Sequence, residues 1–318
     1  MNQMNLIKKI KNILKKEDEK LKFKEIVEEW LEIKKISIKK STYYNYTYFI
    51  NKYIMPHFEN KTIEELQKYN FNEFITMLMK TLSNKTIRDI LCILKSILNF
   101  SNEEYDANIK IKKIKSPQLI QEKIEILSNR EKGRVENACI RENSLKSIGI
   151  LLCLNTGLRI GEICALKWKN INLDKSMLYV KKTLQRVYDD TEKRTKVIID
   201  VPKTISSVRA IPISNKLYEI LKTIKNNYKD EDFFLTGNRE KYIEPRTYQK
   251  YFKDILRKCK IKGYKFHSLR HTFSSNCIEV GMDVKSLSDI LGHSKVETTL
   301  NLYVHSSHKL QKKYLEKL

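Results

Sequence analysis

No apolar run in these 318 residues approaches the ~20 residues that a bilayer-spanning helix needs. The opening stretch, Met1-Asn-Gln-Met-Asn-Leu-Ile-Lys-Lys9, lacks the apolar centre of a secretory leader, so the expected location is the cytoplasm. No Cys-x-x-Cys pair occurs, and no histidine stands at zinc-ligand spacing from a cysteine, which speaks against a zinc finger. The six cysteines, Cys92, Cys139, Cys153, Cys164, Cys259 and Cys277, sit singly in apolar or helical segments and read as small buried hydrophobes in a reducing compartment. Carboxylates do not cluster, which argues against a two-metal nuclease, and no metal or other cofactor is expected.

Negative charge is also scarce. With 62 Lys and Arg against 38 Asp and Glu the formal net charge is +24, which points to a polyanionic partner. Up to residue 120 there are 23 Lys and Arg against 15 Asp and Glu, a net +8, so the remainder carries +16. Both halves are basic, as expected of a protein that neutralises duplex DNA along its length. A Lys- and Ile-rich composition inherited from an AT-rich genome accounts for part of the lysine excess. The chain is long enough for two cores of ordinary size, so two domains are the default.

Residues 1–20 form a basic arm, read either as a short amphipathic helix or as a solvated segment. From 21 to 108 four or five helices are expected. Phe23, Ile26, Val27, Trp30 and Leu31 make the first apolar face, and Tyr43, Tyr46, Ile50 and Tyr53 the next, capped by Ser41. Phe71 to Met79 gives a third, and Ile87, Ile90, Leu91, Leu94, Ile97 and Leu98 a last one opened by Ser83 and Asn84. The tyrosines are expected mostly in the core. Lys39, Lys40, Lys85 and Arg88 fall where two of these helices begin and are candidate phosphate contacts. Residues 109–128, charged and carrying Pro117, read as a linker, and 129–318 as a second domain.

In that second domain Leu145 to Asn155 reads as a buried helix, followed by Thr156-Gly-Leu-Arg-Ile-Gly-Glu162. Gly157 ends the first helix, and Arg159 opens the next, on a rigid turn suited to an oxyanion. Glu162 can bond Arg159 and fix its fork, or be an ordinary surface pair. Met177–Lys182, Thr195–Val201 and Val208–Ile213 are β-branched runs that predict a small antiparallel sheet, with Pro202 to Ser207 as a turn. The fold class is therefore mainly α with a small antiparallel β-sheet.

Five of the six histidines, His267, His271, His293, His305 and His308, lie in the last sixth of the chain. His267 and Arg270 are three apart and share a helix face, while Leu269, Phe273 and Cys277 give that helix a stripe to bury. A short helix from Val284 to Leu291 is closed by Gly292, and Ser294 with Glu297 reads as a capping box for another, in which Leu300 and Val304 face the core. Tyr303 stands one residue off that line.

The ordered series His267-x-x-Arg270-His271, Gly292-His293, then Tyr303, 33 positions after Arg270, resembles the C-terminal signature of the tyrosine recombinase (phage integrase) family. Thr156-Gly-Leu-Arg-Ile-Gly-Glu162 is similar to the family's first arginine box. The resemblance implies a helical, SAM-like core-binding domain followed by a mixed α+β catalytic domain, and it implies phosphoryl transfer on DNA without metal or ATP. Tyr303 is then the nucleophile that leaves a 3′-phosphotyrosyl link, Arg159 and Arg270 clamp the non-bridging oxygens, and Lys203, which matches the family's hairpin lysine, is the general acid. His267 assists proton transfer and His293 holds the phosphate or Tyr303. The implied partners are double-stranded recombination sites and three further copies of the chain, a homotetramer on two duplexes coupled through the basic tail from Val304 to Leu318. A directionality factor for excision is a further candidate partner, and no membrane is.

The long second hairpin and the pattern Pro202-Lys-Thr, Ser206-Ser, Arg209-x-Ile-Pro look more like integrases of conjugative transposons and phages than like Xer resolvases. The expected function is integration and excision of a mobile element. The alternatives are a Xer-type resolvase of chromosome or plasmid dimers, a relaxing topoisomerase, or a DNA-binding protein without catalysis. Twenty basic residues are too few for the arm-binding domain that many mobile-element integrases carry.

Overall fold

The computed structural model describes residues 21–119, 124–189, 194–200, 207–304 and 315–316. The basic arm 1–20 lies outside them, as do the turn lysine Lys203, His305, His308 and most of the basic tail. The chain divides into two compact units, residues 1–121 with 187–196, and residues 122–186 with 197–318. Among the described residues no helix is long and apolar enough to cross a membrane.

The first unit is helical. Helix α1 (Phe23–Ser37) buries Phe23, Ile26, Val27 and Trp30, one stripe at three- and four-residue spacing. Helix α2 (Lys40–Phe49) begins after Lys39, not at Ser41, and runs through a wide π turn at Ile50–Ile54 into α3 (Met55–Phe58). Its tyrosines are less buried than expected: Tyr48 is half exposed, and Tyr46 only partly buried where it stacks on Trp30. Helix α4 (Ile63–Lys68) went unread in the sequence. Its length is a turn and a half, and its start is set by a reciprocal box in which Thr62 N–H donates to Glu65 (2.8 Å) and Glu65 N–H donates to the Thr62 hydroxyl (3.3 Å).

Helices α5 (Phe71–Met79) and α6 (Asn84–Tyr105) complete the unit, with Ser83 capping α6 as expected. Phe58 lies at the centre, in contact with the rings of Phe23, Tyr69, Phe71 and Phe74 at 5.0 to 5.9 Å. Around it α6 buries seven Ile and Leu side chains, each contributing roughly 1.5–3 kcal/mol of apolar burial. Ile109 and Ile114 belong to the same core, so the unit runs beyond residue 108, where the linker was expected to start.

The second unit is built on a helix that is apolar all round. Helix α8 (Leu145–Thr156) buries Ile148, Ile150, Leu151, Leu152 and Leu154 and packs against α7 (Asn129–Glu142), α10 (Asn215–Lys225), α11 (Pro245–Lys258) and α12 (His267–Glu279). Leu127 joins this core, and its N–H donates to the buried Thr272 hydroxyl (3.0 Å), so the residues before α7 are part of the unit rather than linker.

Strands β1 (Ile171–Asn172), β2 (Met177–Val180) and β5 (Arg209–Pro212) form an antiparallel sheet in the order β1-β2-β5, with Leu178 opposite both Ile171 and Ile211. All three are buried. The run at Thr195–Val201 does not join them. It is β4 (Arg194–Asp200), which pairs with β3 (Thr183–Asp189) in a separate two-stranded sheet.

Helices α9 (Ile160–Ala165), α12, α13 (Val284–Leu291) and α14 (Glu297–Val304) carry the remaining motifs. Because α14 starts at Glu297, that residue is the first of the helix and not the third, as a box opened by Ser294 requires. Leu300 is 46% exposed and does not face the core. Of the cysteines, Cys92 is exposed, against expectation; the other five are buried free thiols, and burial raises the pKa of each.

Gly157 ends α8 in the left-handed region, φ 65°, and a Cβ there would lie 2.6 Å from Phe273 and 2.8 Å from Leu291. Gly133, inside α7, has nothing within 4 Å of that position. Gly157→Ala is therefore expected to lower the unfolding free energy by about 1–2 kcal/mol from backbone strain alone, with the steric overlap adding to it. Gly133→Ala is expected to raise it by roughly 0.5–1 kcal/mol. Chemical denaturation of the two variants beside the parent checks both signs.

Candidate active site

Three arginines from three separate elements meet at the carboxyl end of α13. Arg209 on β5 donates from Nε to Ile290 O (2.5 Å), Arg270 on α12 from Nη2 to Leu291 O (2.9 Å), and Arg159 before α9 from Nη2 to Gly292 O (3.1 Å). A helix ends with unpaired carbonyls and a partial negative charge, so three successive carbonyls can each accept a cation's hydrogen bond. Gly292, at φ 65°, makes the turn that presents them. Arg270 also donates from Nη1 to Gly157 O (2.8 Å), at the end of α8.

Glu162 balances this charge. Its carboxylate is 4% exposed and accepts four hydrogen bonds. Oε1 takes Nη1 of Arg159 (2.9 Å) and Nη1 of Arg209 (3.0 Å); Oε2 takes the Arg159 backbone N–H (2.8 Å) and Nη2 of Arg209 (2.9 Å). Burial pushes the carboxyl pKa up, but the arginine hydrogen bonds and charges outweigh it and leave the group below its ordinary value, so it is ionised. Three guanidinium groups against one carboxylate leave two positive charges in a largely buried place, a cost that an incoming anion relieves. The Arg159 side chain is 35% exposed, whereas that of Arg209 is 5% exposed, so Arg159 is the more accessible to such an anion.

His267 and Arg270 lie on the first turn of α12. His267 stands at the open side, its ring edge-on to His271 with centroids 4.6 Å apart. Packing behind the ring, and then the charges of His271, Arg270 and Arg159, lower its pKa to about 4. Arg270 is 3% exposed; burial and the Arg159 charge lower its pKa to about 9, which leaves it cationic at neutral pH.

His293 follows Gly292. Its Nε2 lies 2.8 Å from Nη2 of Arg270, which can only donate, so Nε2 accepts and the proton sits on Nδ1. Nδ1 in turn lies 2.8 Å from the hydroxyl of Thr299, a fully buried residue of α14, and donates to it. Burial and the nearby arginines hold His293 neutral, with a pKa of about 4. Tyr303 belongs to the same helix, one turn beyond Thr299.

The structure thus brings together Arg159, Glu162, His267, Arg270 and His293 and places Tyr303 on the adjoining helix backbone, while Lys203 is outside the described residues. Lys39, Lys40, Lys85 and Arg88 are exposed at the starts of α2 and α6, in the other unit. The sequence reading missed Arg209, although it lies in the Arg-x-Ile-Pro pattern, and Thr299, whose signal was only its nearness to Tyr303. Among the described residues no three His, Cys, Asp or Glu side chains come together to hold a metal.

Residues 22–79 match the phage integrase N-terminal SAM-like domain, and residues 121–309 match the Phage integrase family. A protein named tyrosine recombinase XerC-like, from Caldanaerobacter subterraneus subsp. tengcongensis, is 32% identical over 247 residues, 70% of this chain and 63% of the relative. The ICEBs1 integrase of Bacillus subtilis is 27% identical over 296 residues, 89% of this chain and 78% of the relative. The chain thus spans less than two thirds of the first of these relatives. The structure of the Tn1549 transposon integrase in complex with transposon right end DNA has the same fold, with a TM-score of 0.75 at 20% identity over 94% of this chain and 99% of that one. Because the integrase match covers more than half of the 318 residues and contains Arg159, His267, Arg270, His293 and Tyr303, the chain belongs to the phage integrase family of tyrosine recombinases.

Proposed function

We propose that the protein is a site-specific recombinase that cuts and rejoins double-stranded DNA through a 3′-phosphotyrosyl intermediate, and that it integrates and excises a mobile element. The observation that carries this reading is the convergence of Arg159, Arg270, His267 and His293 on one partly open site, next to the helix that contains Tyr303.

In the reaction, the Tyr303 hydroxyl oxygen attacks the scissile phosphorus in line with the 5′ oxygen. The P–O5′ bond breaks as the P–O bond to tyrosine forms, so the number of phosphoester bonds is unchanged and no nucleotide is consumed. Arg159 and Arg270 hold the non-bridging oxygens, where loss of one preorganised donor costs ~100- to 1000-fold in rate. Lys203 protonates the leaving oxygen, neutral His267 relays protons at the mouth, and His293 fixes Arg270. A 5′ hydroxyl of the partner strand then reverses the chemistry. Four copies act on two duplexes, with an excision factor setting direction.

Likeness to the ICEBs1 integrase over 89% of the chain supports the mobile-element reading. A Xer-type resolvase is the second reading, favoured by the 32% identity to the XerC-like relative. Lys39, Lys40, Lys85 and Arg88 are the proposed phosphate contacts of the helical unit.

Three outcomes check this reading. On a nicked suicide duplex carrying the sequence that the protein selects from a randomised pool, a covalent adduct should form in excess EDTA without nucleotide. Tyr303→Phe should bind that duplex and form none; an adduct in the variant, or strict need for magnesium, would contradict the mechanism. Replacing Lys85 and Arg88 by Ala should lessen the log-log salt slope of binding by about 0.9 per lost contact, and an unchanged slope would remove them from the interface.

The third outcome concerns pH. Unfolded histidines bind protons below their ordinary value of about 6.5, whereas folded His267 and His293 do so only near 4. Stability without DNA should therefore be fully present above pH 6.5 and be lost progressively as pH falls toward 4. Denaturation midpoints measured at pH 7, 5.5 and 4.5 should fall in that order, and a His267→Asn, His293→Asn double variant should show a flatter dependence.

A further inference from the structure

We propose that Arg209 is a positioning residue for strand cleavage, acting through Glu162 on Arg159; this rests on the reading that Arg159 clamps the scissile phosphate. Arg209 is not placed to touch DNA itself. Its side chain is 5% exposed, and its Nε, Nη1 and Nη2 are all engaged within the protein, with Ile290 O, Ser207 O and both oxygens of Glu162.

What it does is decide how Glu162 divides itself. Each oxygen of that carboxylate accepts once from Arg209 and once from Arg159, through the backbone N–H at Oε2 and Nη1 at Oε1. The fork of Arg209 fills one side of the carboxylate and fixes its plane, so the Arg159 side chain donates one bond to Glu162 and keeps Nη2 on Gly292 O. Without Arg209, the buried carboxylate would have two unfilled positions, and among the described residues the other cation bonded to it is Arg159. Its guanidinium would be drawn inward to a two-pronged pair with Glu162 and away from the open side.

The bond to Ile290 O adds a second constraint. It lies two residues before Gly292, so one side chain ties β5 both to the turn that carries Arg159 and to the helix end on which Arg159 rests. Lysine cannot reproduce this arrangement, since it has no planar fork and a single nitrogen.

The test is single-turnover adduct formation at saturating duplex, on the same nicked suicide substrate, with either an ordinary phosphodiester or a neutral methylphosphonate at the scissile position. Arg209→Met should slow adduct formation on the phosphodiester about 100-fold, as expected when a reacting group is displaced by about an ångström. Arg209→Lys should fall between Met and wild type, and the duplex Kd should be unchanged in both. Adding Glu162→Gln to Arg209→Met should cost little more, because the two residues act as one unit.

On the methylphosphonate, which carries no charge for Arg159 to hold, both Arg209 variants should form adduct at the wild-type rate. A residue that only stabilises the fold would slow both substrates alike. Wild-type rates on the phosphodiester in both variants, or equal slowing on both substrates, would overturn the proposal; should Arg209→Met fail to unfold cooperatively, Arg209→Lys decides alone. Arg159→Ala separates the two levels of the argument. If it forms adduct on the phosphodiester at the wild-type rate, the clamp reading itself falls, and the role of Arg209 with it. If it is slow there and restored on the methylphosphonate while the Arg209 variants are not, the clamp stands and Arg209 has no part in it.

Discussion

Like charges a few ångströms apart repel, and the second unit has to hold three guanidinium groups together. It does so with one carboxylate and five main-chain carbonyls, those of Gly157, Ser207, Ile290, Leu291 and Gly292. All but that of Ser207 come from the ends of two helices, each closed by a left-handed glycine. In the proposed reaction Tyr303 supplies the covalent chemistry and the guanidinium groups supply charge held in place, and that placement depends on where α8 and α13 stop. A side chain at Gly157 would disturb both the helix end and the Phe273 and Leu291 contacts beneath it.

The elements most legible in the sequence were those set by local spacing. The bounds of α13 and the turn at Gly292 both follow from periodicity and punctuation within about a dozen residues. Arg159 and Glu162, three apart, were legible for the same reason. Arg209 was not, because its partners are 47 and 81 positions away in sequence. Periodicity carries no information about such pairs. The strand pairing failed for a related reason: β2 pairs across the intervening β3 and β4 with β5, and nothing local to Thr195–Val201 says that it is left out. Leu300 shows the opposite error, an apolar residue assigned to a core that is not there.

His293 joins two parts of the site that sequence motifs describe separately. Because an arginine occupies its Nε2, the ring is confined to one tautomer, and its remaining proton goes to Thr299. A buried hydroxyl on α14 is thereby coupled through one imidazole to the buried guanidinium on α12. The helix bearing Tyr303 is thus tied to the guanidinium of Arg270 by two successive hydrogen bonds.

The five buried thiols have a consequence outside the chemistry of the site. Cys139, Cys153, Cys164, Cys259 and Cys277 all belong to the second unit and all have their pKa raised by burial, so little thiolate is available while that unit is closed. Cys92, in α6 of the first unit, is exposed. A thiol-alkylating reagent therefore meets one exposed cysteine on the folded chain and gains the other five only when the core of the second unit opens. The protein carries its own clock for the breathing of that core, readable by mass in steps of one label.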